Sequence, residues 1–135
     1  MLYFQWSPEY SVEVAELDQQ HKQLLAMMNN AYAETEKDAT PLDVSRMIFE
    51  MNEYAIAHFS REEKYMKQTA YAGYEDHKGQ HEYFYDQIAR FKAELATGNR
   101  EIYGEIADFL KTWFFDHIVK KDQLYTGHFH DAGIR

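Results

Sequence analysis

In the segment HFSREEKYM, His58 and Glu62 stand four residues apart. At about 3.6 residues per turn such positions lie one above the other on one helix face, so an imidazole nitrogen and a carboxylate oxygen can reach the same ion. HKGQH repeats the spacing with His77 and His81. ELDQQHKQLL sets His21 inside an apolar stripe with Leu17, Leu24 and Leu25, and HIVKKD places His117 five residues before Asp122. Five of the seven histidines, His21, His58, His77, His81 and His117, therefore fall on or beside apolar helix faces. Burying imidazoles without partners is costly, and converging them on metal removes that cost. The pair His117 and Asp122 adds a geometric condition, because five residues on an ideal helix turn the side chains about 140° apart. If both serve one centre, the backbone must tighten, bulge or end between Val119 and Asp122.

The donor count sets the number of ions. Five imidazoles plus Glu62 and Asp122 are too many for one tetrahedral zinc and more than one octahedral ion uses. Two ions bridged by both carboxylates fit. The chain has no cysteine, which excludes disulfides, thiolate catalysis, iron–sulfur clusters and thiolate zinc sites. Nitrogen and oxygen donors suit iron, and two carboxylates with a bridging hydroxide largely offset the four positive charges of two ferrous ions. The same donors accept other divalent ions.

Positioning these side chains requires helices. Apolar residues recur at helical spacing from about Val14 to Lys37, until DATP, Asp38 to Pro41, breaks the pattern. Thr40 is a natural cap for a second helix, with Pro41 at its first position and Asp43 in its first turn, running to about Met66. A third run spans about Tyr74 to Leu95, with Gly98 beyond it as a C-terminal cap, and a fourth spans about Glu101 to Lys121. Gly79, inside the third, is costly in a helix interior and marks either close helix approach or a site for a partner helix. Four helices with short loops make an all-α, up-down-up-down four-helix bundle able to hold a di-iron centre in its core. The expected organisation is one domain over residues 1–135: an N-terminal arm at 1–13, the bundle at 14–122 and an irregular tail at 123–135 that leaves His128 and His130 solvated. The net charge of -9 argues against nucleic acid as a partner. No segment has the roughly 18 apolar residues of a membrane span, and a cytoplasmic protein is expected.

Four segments in order, WSPEYSVEVAELDQQHKQL from Trp6, HFSREE from His58, HKGQH from His77 and WFFDHIVKKDQLY from Trp113, resemble the hemerythrin family, most closely its single-domain bacterial members. The resemblance implies a non-haem centre of two iron ions with a bridging oxo or hydroxo group that binds O2 reversibly. By position, one iron would take His77, His81 and His117, the other His21 and His58, with Glu62 and Asp122 bridging. The iron with two histidines would keep a position open for O2. Reversible binding needs a dry cavity, and the candidates for its wall are Leu24, Phe59, Trp113, Phe114 and Ile118, with Tyr125 bonding to a ligand or closing the pocket. Phe114 departs from the leucine common at its position. The function expected is that of an O2 carrier, store or delivery protein and not an enzyme, serving an O2-consuming enzyme or a signalling partner. The alternatives are a di-iron peroxidase or oxidase, and an O2 or redox sensor. Oxygen-activating bundle enzymes use a more anionic, four-carboxylate set, which favours binding over oxidation.

Overall fold

The structure, a computed structural model, describes residues 4–37 and 39–135, so the helix breaker Asp38 and the first three residues of the arm lie outside it. Four long elements form where the apolar periods place them: α1 (Ala15–Thr35), α2 (Pro41–Gln68), α3 (Tyr74–Ala96) and α4 (Ile102–Trp113), the last continuing into a π-helix over Phe114–Lys121. Among the described residues there is no strand. Each helix packs against its sequence neighbours, and α1 closes the ring against α4, as short connections between antiparallel helices dictate.

The start of α2 is fixed by a reciprocal cap. The Asp43 amide donates to Thr40 Oγ1 at 3.2 Å, and the Thr40 amide donates to Asp43 Oδ2 at 3.0 Å. These bonds hold the Asp43 carboxyl below its ordinary pKa. At the other end of α3, Gly98 takes φ +78° one residue beyond the cap Thr97, the left-handed position that a glycine fills without strain. Gly79 marks no close helix approach, since nothing lies within 4 Å of where a Cβ would stand.

The tail is not irregular. A 3-10 turn over Asp122–Tyr125 leads into α5 (Thr126–Asp131). Phe129 is the reason: it is fully buried, stacks on Tyr125 with centroids 4.3 Å apart, and packs edge-on against Tyr65 and Tyr71. Nor are His128 and His130 solvated ends. His128 Nε2 donates to the Thr69 carbonyl at the end of α2 and His130 Nε2 to the Glu13 carbonyl in the arm, both at 2.8 Å.

Two apolar clusters fill the interior. The larger runs from Leu24 and Met28 through Met51, Tyr54, Phe59, Phe84, Leu110, Trp113 and Ile118, and the smaller joins Val12, Val14, Leu17, Met66, Tyr125 and Phe129. On α1, His21 falls between Leu17 of one cluster and Leu24 of the other, and on α2, Glu62 falls between Phe59 and Met66. A polar layer thus crosses the bundle with apolar packing on both sides.

Candidate metal centre

Asp122 enters that layer because the fourth helix widens. In the π-helix of Phe114–Lys121 the backbone closes five-residue turns, so residues five apart come into line. His117 Nε2 lies 3.0 Å from Asp122 Oδ1. The expected departure from regular helix is present, beginning at Phe114 rather than Val119 and widening the turn before the 3-10 segment tightens it.

All seven predicted donors meet here, and all are buried, Glu62 and Asp122 completely. His21, His58, Glu62 and Asp122 offer donor atoms within 4.8 Å of one another, and Glu62, His77, His81 and His117 do the same. The carboxylates link the two groups. Glu62 Oε1 lies 3.3 Å from His58 Nε2 and 3.1 Å from His81 Nε2. Asp122 reaches His77 Nε2 at 2.6 Å through Oδ1 and His21 Nε2 at 3.1 Å through Oδ2.

Of these contacts the one between His77 and Asp122 is a hydrogen bond, while the others are close but leave atoms unpaired. Glu62 Oε1, Asp122 Oδ2, His81 Nε2 and His117 Nε2 are buried without a hydrogen-bond partner, and the Nε2 atoms of His21 and His58 face each other at 3.1 Å. Buried polar atoms in proteins are nearly always paired, so atoms converging on common points and not on one another fit a metal better than an internal network. Burial pushes each acid up, and for Glu62 the Asp122 charge does so too, yet the surrounding imidazoles hold both below the ordinary carboxylate range: His58 and His81 for Glu62, His117, His21 and His77 for Asp122. Both acids are therefore anionic, as bridging ligands must be.

Three of the five outer nitrogens are gripped, while His21 Nδ1 is buried without a partner. His58 Nδ1 donates to Gln20 Oε1 at 2.5 Å, His81 Nδ1 to Glu63 Oε2 at 2.9 Å and His117 Nδ1 to Gln80 Oε1 at 2.6 Å. A proton held at Nδ1 leaves the Nε2 lone pair facing inward, the tautomer a metal requires. The pattern runs around the bundle, with α1 bracing α2, α2 bracing α3 and α3 bracing the fourth helix.

A family model described as the hemerythrin HHE cation binding domain matches residues 12–128. The chain belongs to the hemerythrin family. A bacteriohemerythrin of Clostridium acetobutylicum is 31% identical over 127 residues, covering 90% of this chain and 98% of that protein. A myohemerythrin of Sipunculus nudus is 30% identical over 122 residues, covering 90% of each. The fold agrees with a crystal structure of wild-type hemerythrin at a TM-score of 0.84 and 24% identity, over 94% of this chain and 98% of that one.

The hemerythrin layer is walled by rings and aliphatic side chains. Phe59 lies flat on His81 with centroids 3.9 Å apart and Trp113 on His117 at 4.1 Å. Leu24 and Ile118 are fully buried in the same cluster. Phe114, also buried, packs edge-on against Tyr10 of the arm at 5.3 Å. Tyr125 bonds to a candidate ligand, its hydroxyl donating to Glu62 Oε2 at 2.5 Å. Sequence reasoning missed the braces Gln20, Glu63 and Gln80. Their signal was adjacency, each standing beside a candidate ligand. It also passed over Tyr54, one turn before His58, whose ring stacks on that imidazole.

Proposed function

We propose that residues 1–135 act as one hemerythrin-like domain that binds O2 reversibly, carrying, storing or delivering it in the cytoplasm without acting as an enzyme. In this reading His77, His81 and His117 hold one iron, His21 and His58 hold the second, and Glu62 and Asp122 bridge the pair. When bound, the two irons and their bridging oxo or hydroxo group supply the reversible electron transfer that O2 capture requires. The observation that carries the reading is the buried layer of seven convergent donors with unpartnered inward atoms.

The chain's own part is threefold. Gln20, Glu63 and Gln80 fix the imidazole tautomers. Tyr125 holds Glu62 through its carboxylate, and Leu24, Phe59, Trp113 and Ile118 keep water out, so that O2 leaves as O2 and does not carry electrons away as superoxide or peroxide. A separate O2-consuming enzyme or signalling partner would receive the O2. No helix among the described residues is long and apolar enough to cross a membrane.

The test is the visible spectrum of anaerobically reduced protein as O2 is admitted and then removed, with iron per chain measured alongside. Two irons per chain and an absorption band that appears with O2 and vanishes on degassing establish the function. A stable oxidised form that turns over with peroxide or a reductant would overturn it in favour of an enzyme or redox sensor.

A further inference from the structure

Among the described residues, two buried side-chain polar atoms without partners lie outside the seven donor residues: Tyr54 Oη and Trp113 Nε1. Both belong to residues one helical turn before a candidate ligand and stacked on it. The Tyr54 ring lies nearly parallel to His58, centroids 5.2 Å apart at 11°, and the Trp113 ring nearly parallel to His117 at 13°. The groups they adjoin differ. His117 belongs to the group with three imidazoles, whereas His58 belongs to the group with two. Because Asp122 also touches His77 and His117, the His58 side has one donor fewer once both carboxylates are counted with both groups, which leaves room for a ligand from outside.

We propose that Tyr54 is the hydrogen-bond donor of the ligand pocket and that its hydroxyl selects small ligands bearing negative charge, namely inorganic anions and O2 once it has drawn charge from the metal. This rests on the O2-binding reading above. Around Tyr54 the packing is apolar, with Phe59 at 6.2 Å and Phe84 at 6.4 Å between centroids. An unpaired hydroxyl in such surroundings is a cost that phenylalanine would avoid without change of shape. A tyrosine hydroxyl has a proton to donate, and no group of the chain accepts it here. A hydrogen bond from it to a charged acceptor in a dry site corresponds to about a 10- to 100-fold gain in affinity. Trp113 does not share the role, because the group it adjoins already holds three imidazoles.

The experiment compares wild type with Tyr54→Phe, using azide as the probe on the iron-loaded, oxidised proteins and thermal melting of the metal-free proteins as a second readout. The expected result is unchanged iron per chain, an azide dissociation constant raised about 10- to 100-fold, and metal-free protein that melts no lower than wild type, since the hydroxyl has no partner in the chain to lose. Azide affinity within about twofold of wild type would overturn the proposal. So would a lower melting temperature of the metal-free variant, which would make the hydroxyl a structural bond. A wild type that holds iron and azide but does not bind O2 reversibly would sink the dioxygen reading while the azide comparison still decides the role of Tyr54. A wild type that holds no iron would sink both.

Discussion

His117 illustrates what each donor position demands of its neighbours. Its Nδ1 donates to Gln80 Oε1, and Gln80 Nε2 in turn donates to Asp76 Oδ2 at 2.9 Å, so a short chain of bonds from the surface sets the ring. Gln80→Leu removes the acceptor and leaves the imidazole free to carry its proton at Nε2. Iron affinity is expected to fall about 10- to 100-fold, read by competition with a chelator, and equal affinities would show that His117 needs no brace. Removing a donor outright should do more. His58→Ala and Glu62→Ala are each expected to lower iron per chain, and wild-type stoichiometry in both would end the ligand assignment. Trp113→Ala tests the wall: iron stays bound while autoxidation speeds up as solvent enters. An unchanged autoxidation rate would reduce the indole to packing.

At the scale of elements, the physics that the chain makes legible is local. Helix ends are written in caps, as at Thr40, Asp43 and Gly98, and the need for an irregular fourth helix follows from the angle between His117 and Asp122. What the backbone does about that angle depends on packing that has no sequence period: Phe114 against Tyr10 of the arm, Tyr125 reaching back to Glu62. The same limit hid α5, since one Phe129 among polar residues gives no periodicity and its burial comes from Tyr65, Tyr71 and Tyr125, the first two far away in sequence. Seven donors were legible because metal chemistry restricts residue types, whereas the glutamine braces look like any polar helix surface. One cross-helix bond gives a test at this scale. Tyr32 on α1 donates to Asp108 on α4 at 2.9 Å, and burial, then this bond and the Asp108 charge, push its hydroxyl up to about 12. A pKa raised by folding means that the contribution is complete below the unfolded value of about 10 and is lost as pH rises through about 12. Tyr32→Phe should therefore flatten the fall in melting temperature across that alkaline window. Parallel curves for variant and wild type would show that the bond does not contribute.

Across the whole molecule, the polar layer makes metal and fold one problem. The clusters on either side, with Leu24 and Phe59 facing Leu17, Met66, Tyr125 and Phe129, bury well, but the layer between them keeps two anionic carboxylates and several unpartnered polar atoms away from water. Each unpaired buried group costs about 1–3 kcal/mol, a sizeable share of the roughly 5–15 kcal/mol that holds a domain folded. Iron bound at the layer satisfies those atoms only in the folded state, because the donors are spread along the sequence from His21 to Asp122 and do not converge in the unfolded chain. Ligand at about a thousand times its dissociation constant adds about 4 kcal/mol. For a domain of this size that is a rise of about 10–20 °C in melting temperature. Iron-loaded protein is accordingly expected to melt at least about 10 °C above the chelator-stripped form, with the increment sharply reduced in His58→Ala. A difference of less than about 2 °C in wild type would mean that the layer is already satisfied without metal, since no binding at seven buried donors could leave the folded state so little favoured.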